Sequence, residues 1–162
     1  KAALTGHLVF STVHTNDAAS TIVRLVNMNV EPFLIADSVV LIVAQRLVRR
    51  LCKKCAQPHN LPESALIEMG FRKDELKGLH IQRPKGCDAC NKTGYKGRTA
   101  LFEVMKVDED IREMILSRAQ SRDIKKKAIE KGMLTLRRSG LCKIKTGITS
   151  VEEVLRETVR DE

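Results

Sequence analysis

The sequence predicts an α/β fold that is interrupted by a small cysteine-rich insert and followed by a mostly helical C-terminal region. A short apolar run at residues 8–12 is typical of a buried strand, and apolar residues at helical spacing follow it. Four of the five cysteines form two Cys-x-x-Cys pairs, at 52–55 and 87–90, with the insert between them. Beyond residue 104 the pattern is helical.

The elements before the insert are a strand and two helices. After the strand at 8–12, Asn16 or Asp17 can cap a first helix with apolar positions 22, 25, 26 and 28. Pro32 suits the first turn of a second helix. We expect that helix to continue through an apolar run and then a basic run, up to the first cysteine pair.

The remaining elements follow from helix-start and helix-stop residues. A short helix is expected at 62–69 inside the insert, and a strand at 98–104 after it. Asp108, Ser121 and Thr135 open three helices, of which the second stops at Gly132 and the third at Gly147. Ser150 and Glu153 form a capping-box pattern that opens a last helix. The fifth cysteine, Cys142, is expected to be half-buried in helix packing.

Charge and composition limit the partners. The net charge of +9 favours polyanions such as nucleotides, nucleic acid or an anionic membrane surface. With one Tyr, four Phe and no Trp there are few platforms for base stacking, so nucleic acid is not expected as a partner. The apolar run at 33–44 is too short to span a bilayer and contains Asp37, so no transmembrane segment is expected. The start without Met or a leader predicts part of a longer protein. Cysteines at metal-ligand spacing, without an export signal, predict a location in the reducing cytoplasm.

The cysteine pairs predict a structural zinc site formed by Cys52, Cys55, Cys87 and Cys90. Each pair can place two thiolates on one cation, and four thiolates fill a tetrahedral site without an open position. The alternatives are isolated buried thiols or a thioredoxin-like redox pair, which explains one pair but not two. The gap of 31 residues (56–86) exceeds the usual zinc-ribbon spacing, but a longer loop adds only a logarithmic closure cost.

A polar turn after the first predicted strand is the second candidate site. His14 and Asn16 would lie at the carboxyl end of that strand, where α/β folds bind ligands. The alternative is a satisfied histidine in a capping turn. Arg24 and the basic run at 46–54 form a third feature. Three interpretations of that run stay open: a solvated basic face, a phosphate contact across a subunit boundary, or a patch that faces a membrane.

These stretches together resemble the secretion ATPase superfamily, which includes the type IV pilus assembly ATPases and the type II secretion ATPases. Residues 5–18 resemble its His box, and residues 45–52 resemble the run into its tetracysteine element. Residues 94–105 resemble the run after that element, and residues 147–155 resemble its C-terminal helix. The resemblance implies the C-terminal part of a RecA-like P-loop ATPase domain with a tetracysteine zinc insert. It also implies a homohexamer that hydrolyses ATP between subunits and acts on an inner-membrane platform protein.

The resemblance also implies roles for single residues. His14 matches the second histidine of the His box, near the γ-phosphate, and His7 matches the first; both are catalytic candidates. The resemblance implies an intersubunit or phosphate contact for Arg24 and a position near the nucleotide base for Arg98. The four cysteines match the zinc-binding element.

Two family features do not occur in these 162 residues: a G-x-x-x-x-G-K-[ST] phosphate loop, and an acidic strand for Mg²⁺ before the His box. We therefore expect ATP and Mg²⁺ to serve the full-length protein, and this fragment alone to be inactive.

Three parts are expected: a partial RecA-like core at 1–50, the zinc insert at 51–97, and a strand with helical subdomain at 98–162. The expected function is that of a pilus assembly motor, with the type II secretion ATPase as the alternative. The insert argues against retraction ATPases, which lack it. A second alternative is a zinc-stapled nucleic-acid-binding or adaptor module without catalysis.

Overall fold

The computed structural model describes residues 2–161 and has a mixed α/β fold, as expected. Lys1 and Glu162, at the outer ends of two of the expected parts, lie outside the described residues. In chain order the elements are α1 (Ala18–Asn27), α2 (Pro32–Ser38), β1 (Leu41–Leu51), β2 (Gln57–Pro58), α3 (Glu63–Met69), β3 (Gln82–Arg83), β4 (Tyr95–Lys106), α4 (Glu109–Leu116), α5 (Ser121–Glu130), α6 (Leu136–Lys145) and α7 (Val151–Glu157).

The chain forms two compact units. The first comprises the chain up to Ala44 together with Glu103–Leu134, and the second comprises Gln45–Phe102 together with the chain from Thr135 onward. Strands β1 and β4 pair with each other. Two of the three unit boundaries fall within these strands, and the third lies just before α6, between Leu134 and Thr135.

The first unit is a helical layer. Helix α2 packs against α4, and α1 packs against α5. Helix α1 begins where Asp17 caps it: the Asp17 carboxylate accepts a hydrogen bond of 2.8 Å from the Ser20 amide. The side chains buried between these helices are mainly Ala and Ile. They include Ala18, Ala19, Ile22, Ile35, Ile111, Ile115 and Ile124.

The second unit has its own apolar core, which combines the insert with the C-terminal helices. Its buried members are Leu66, Phe71, Ile81, Leu141, Ile144, Val151 and Val154. Strands β2 and β3 pair antiparallel inside the insert. Helices α6 and α7 approach closely at Gly140, where a Cβ would lie 2.4 Å from Cγ1 of Val154. The insert therefore shares a core with α6 and α7.

Two predicted elements before the insert are wrong. Residues 8–12 do not form a strand, and Leu8 and Phe10 are 82% and 88% exposed. A strand needs a hydrogen-bonded neighbour, and no described segment pairs with this one. The second helix ends at Ser38, and 41–51 is strand β1. Burial alternates with period two from Leu41 to Val48, the pattern of a strand with one buried face.

The elements after the insert are confirmed, with shifted bounds. The caps Asp108, Thr135 and Ser150 accept hydrogen bonds from the amides of Ile111, Arg138 and Glu153. Strand β4 is longer than the predicted 98–104 at both ends. Cys142 is exposed rather than half-buried. None of the described helices has the length and apolar character needed to cross a bilayer.

Candidate functional site

The structure brings the four predicted cysteines of the second unit together. Cys52 and Cys55 follow the end of β1, and Cys87 and Cys90 lie in and beside a 3-10 turn just before β4. All four Sγ atoms lie within 4.8 Å of one another. The Sγ atoms are 3.9 Å apart for Cys52 and Cys87, 3.8 Å for Cys55 and Cys90, and 3.7 Å for Cys87 and Cys90.

These distances fit a metal site rather than disulfides. Four sulfurs at about 2.3 Å from a central ion form a tetrahedron with edges of about 3.8 Å. A disulfide would require about 2.05 Å between sulfurs, and all four cysteines are free. Three of the four are buried. The cluster can hold a metal ion with four thiolates and leaves no position for a substrate, so it favours a structural role.

Backbone amides support the thiolate form of Cys90. Its Sγ accepts hydrogen bonds from the amides of Cys87 and Gly94, each at 3.2 Å. Burial raises the pKa of the Cys90 thiol, but the amide donors outweigh it, and the pKa falls to about 6. Burial raises the pKa of the neighbouring Cys55 thiol to about 11. A bound cation would favour the thiolate at both positions, because coordinating thiols are deprotonated.

Two glycines let the chain close around the second cysteine pair. Gly86 has φ +100°, and a Cβ there would lie 2.5 Å from the carbonyl oxygen of Lys92. Gly94 has φ +78°, and a Cβ there would lie 2.4 Å from Cβ of Pro84. Because both positions combine left-handed backbone with close contacts, only glycine fits them without rearrangement.

A polar network in the same unit joins the strand beside the cluster to α7. The Arg49 side chain donates to the Glu153 carboxylate at 2.6 Å, and its guanidinium carbon lies 4.1 Å from the Tyr95 ring centroid. Burial raises the pKa of Glu153, but the hydrogen bonds from Arg49 outweigh it and the pKa is lowered. Tyr95 Oη also lies 2.7 Å from Ser150 Oγ.

This network revises two sequence expectations. Arg49 is half-exposed but paired, so it is not part of a simple solvated basic face. The expected capping box is half formed: the Ser150 hydroxyl accepts from the Glu153 amide, whereas the Glu153 side chain binds Arg49. The sequence pattern identified the capping residue but not the long-range partner of Glu153, which lies 104 residues away.

A second ion pair ties the insert to α6. The Arg138 side chain donates two hydrogen bonds to the Glu75 carboxylate, at 2.9 and 3.0 Å, and a third to the carbonyl oxygen of Gly70. Lys145 adds a contact of 3.3 Å to Glu75. The hydrogen bonds from Arg138 lower the pKa of Glu75 to about 2. The sequence pattern does not indicate this pair, because its partners are far apart in the chain.

The other four candidate residues, two histidines and two arginines, are exposed. His7 and His14 lie in the segment before α1, and Arg24 lies on α1, all in the first unit. Arg98 lies on β4 in the second unit. His7 Nδ1 is 3.0 Å from the Thr5 hydroxyl. Between residues 2 and 161, no hydrogen bond or ion pair joins any two of these four. The structure thus brings the four cysteines together, and the roles of the two histidines and two arginines stay predictions.

Besides its cap Asp17, the start of α1 has a second acceptor that the sequence pattern does not indicate. Glu103 on β4 is 1% exposed, and its Oε1 accepts a hydrogen bond of 2.8 Å from the Ala18 amide. Thr15, next to His14, has its hydroxyl 2.8 Å from that of Thr21. The sequence pattern does not indicate this contact, because Ala18 lies 85 residues before Glu103 in the chain.

Sequence comparisons identify close relatives of the whole chain. The family model described as "Type II/IV secretion system protein" matches residues 1–156. A "Type IV pilus assembly ATPase PilB" of Myxococcus xanthus is 48% identical over an alignment of 162 positions, which covers 99% of this chain and 29% of the relative. A "Type II secretion system protein E" of Aeromonas hydrophila is 43% identical over 161 residues, 99% of this chain and 32% of that protein. The chain spans less than a third of the length of these relatives.

A solved structure is similar in fold. The X-ray structure of the Legionella pneumophila ATPase DotB aligns with a TM-score of 0.55 and 22% sequence identity. The alignment covers 94% of this chain and 32% of that chain. At this identity the similarity concerns the fold alone.

Proposed function

Since the chain belongs to the type II/IV secretion system protein family, we propose that it is the C-terminal portion of a hexameric motor ATPase that drives type IV pilus assembly. The observation that carries this proposal is the 48% identity to the Myxococcus xanthus pilus assembly ATPase over the whole chain. Pilus assembly ATPases of Acinetobacter baylyi and Pseudomonas aeruginosa are 48% and 47% identical. The full-length protein would hydrolyse ATP with Mg²⁺ in the cytoplasm and act on an inner-membrane platform protein.

The proposed fold of the complete motor domain is RecA-like, with a phosphate loop supplied outside these 162 residues. The exposed apolar side chains of Leu8 and Phe10 support this proposal. Apolar residues on a short segment without a strand partner fit a segment that pairs within a larger sheet. The division into a core at 1–50, an insert at 51–97 and a C-terminal part at 98–162 stays a prediction.

Zinc is the proposed occupant of the cysteine cluster. Two observations favour a closed ion site with four thiolates. The measured Sγ pairs are 3.7–3.9 Å apart, and three of the four cysteines are buried. Zinc would supply a crosslink, not a reaction centre. Cys52, Cys55, Cys87 and Cys90 would hold it, and the amides of Cys87 and Gly94 would stabilise the Cys90 thiolate.

His14 is the proposed catalytic group of this chain, with His7 as a second candidate. Its exposed ring, next to the capped start of α1, is accessible to a phosphate bound by the rest of the motor. A histidine there can stabilise the charge that develops during phosphoryl transfer. Arg24 and Arg98, also exposed, are proposed contacts to phosphate, a neighbouring subunit or the nucleotide base.

A type II secretion ATPase is the second candidate function. The identity of 43% to the Aeromonas hydrophila protein supports it, and this value is close to that of the pilus relatives. A chimera separates the two functions. This chain replaces the corresponding segment of the Myxococcus xanthus pilus ATPase in one strain, and of the Aeromonas hydrophila secretion protein in another.

We expect the pilus chimera to restore surface pili and the secretion chimera to secrete poorly. A pilus chimera that carries Cys52→Ser is the matched control and should fail. Efficient secretion without piliation would favour the type II function. Failure of both chimeras, with both proteins expressed and soluble, would contradict the motor proposal.

A further inference from the structure

We infer that Glu103 is a positioning residue for His14, an inference that rests on the proposed function. Glu103 lies on β4, in the segment assigned to the first unit, and it is 1% exposed, so its carboxylate is buried. Carboxylates are rarely buried without a specific partner. One partner here is the amide of Ala18, the first residue of α1, at 2.8 Å from Glu103 Oε1.

The hydrogen bond fixes where α1 begins. The first four amides of a helix lack acceptors within the helix, and the positive end of the helix dipole lies there. Asp17 satisfies the amide of Ser20, and Glu103 satisfies that of Ala18. Asp17 is a local cap, whereas Glu103 comes from a strand 85 residues away. Glu103 therefore sets the position of the helix start against β4.

His14 is connected to this anchored start by a short segment. Its neighbour Thr15 has its hydroxyl 2.8 Å from that of Thr21, in the first part of α1. The Thr21 hydroxyl also donates to the carbonyl oxygen of Asp17 at 3.2 Å. A displacement of the Ala18 end of α1 would thus move Thr15, and His14 with it. Because a misplacement of about 1 Å can cost up to roughly 100-fold in rate, such a shift is measurable.

The test uses steady-state ATP hydrolysis by the full-length protein. Glu103→Met keeps the size of the side chain and removes the acceptor, and we expect kcat to fall about tenfold with little change in KM. Glu103→Gln keeps an oxygen acceptor and should retain kcat within about threefold. Asp108→Ala is the matched control, because it removes a helix cap in the same unit at α4 and should leave kcat unchanged. If Glu103→Met does not fold, Glu103→Asp withdraws the carboxylate by one methylene and should lower kcat.

Double variants separate this inference from the proposed function. Adding Glu103→Met to His14→Ala should lower kcat no further, since residues that act as a unit are not additive. An additive loss, or a wild-type kcat in Glu103→Met, would overturn the role of Glu103 alone. A wild-type kcat in His14→Ala would contradict the proposed role of His14 instead. Hydrogen exchange at residues 14–20 tests the anchor without activity: it should be faster in Glu103→Met than in Glu103→Gln, and equal rates would overturn the anchor.

Discussion

The Arg49 guanidinium and the buried Glu153 carboxylate are joined at 2.6 Å, and the Arg49 amide donates to the same carboxylate at 2.8 Å. Arg156 contributes a third donor at 2.9 Å. The side chain and the backbone amide of Arg49, near the end of β1, thus both donate hydrogen bonds to Glu153 on α7. Since Cys52 follows β1 directly, this contact holds the C-terminal helix beside the strand that leads into the cysteine cluster.

Replacing Glu153 should destabilise the second unit. Glu153→Ala leaves the Arg49 amide and guanidinium without their acceptor, and we expect a loss of about 2 kcal/mol in the free energy of unfolding. The loss stays below that of a fully buried pair, because the Arg49 side chain is 43% exposed. Urea unfolding measures the change. Glu152→Gln, the exposed neighbour on α7, is the control and should change stability by less than about 0.5 kcal/mol. Equal losses in both variants would contradict the interpretation.

How far the sequence predicted this fold depended on whether the signal was local. The sequence predicts the caps Asp108 and Ser150 correctly and gives Asp17 as one of two candidates for α1, because a cap is defined by residues within one turn. The cysteine cluster was also predictable, because ligand type and spacing encode it.

The errors lie where distant residues decide the structure. The sequence predicts a helix at 41–51, because this run continues an apolar helix pattern. Pairing with β4 instead makes it a strand. Residues 8–12 have the composition of a strand and no described partner. Glu103 and Glu153 were missed as structural acids because the groups they bind are 85 and 104 residues away.

Removal of one cysteine should release the metal. Cys52→Ser breaks the four-thiolate set, and we expect the bound zinc to fall from one ion per chain to nearly none. Hydrogen exchange should then increase within the insert and stay unchanged in α1, which belongs to the other unit. Cys142→Ser is the matched control, since Cys142 is exposed and outside the cluster. Full zinc occupancy in Cys52→Ser, measured by elemental analysis, would rule the assignment out.

Removal of the His14 ring should slow turnover more than it weakens nucleotide binding. In the full-length protein we expect His14→Ala to lower kcat by roughly tenfold or more, because its proposed partner is charge that develops in the transition state. The dissociation constant for ATP should change little. His80→Ala, an exposed histidine in the insert, is the control. Weaker ATP binding with an unchanged kcat in His14→Ala would argue against a transition-state role.

Acid should weaken the contact between the insert and α6. The pKa of Glu75 is lowered to about 2 by Arg138, so the carboxylate contributes stability above its unfolded pKa of about 4.5. That contribution should diminish as pH falls from about 5 toward 2. We expect Glu75→Gln to be less stable than wild type at pH 7, with the difference shrinking below pH 4. Urea midpoints across this range test it, with the exposed Glu68→Gln as the control. A difference that stays constant down to pH 2 would mean that the ion pair contributes no stability.

Substitutions at the two glycines near the start of β4 can distinguish the effect of backbone strain from that of a steric clash. Gly94 and Gly97 have the same φ of +78°, but a Cβ on Gly94 would meet Pro84 at 2.4 Å, whereas a Cβ on Gly97 would meet nothing within 4 Å. Both Ala variants incur a left-handed backbone cost of about 1 kcal/mol. Only Gly94→Ala must also displace the backbone at Pro84, near Cys87. The amide of residue 94 is in addition a hydrogen-bond donor to Cys90 Sγ. We therefore expect Gly94→Ala to lose zinc at a chelator concentration that Gly97→Ala and wild type withstand. Equal zinc retention in the two variants would show that the close contact at Gly94 is not required for the cluster.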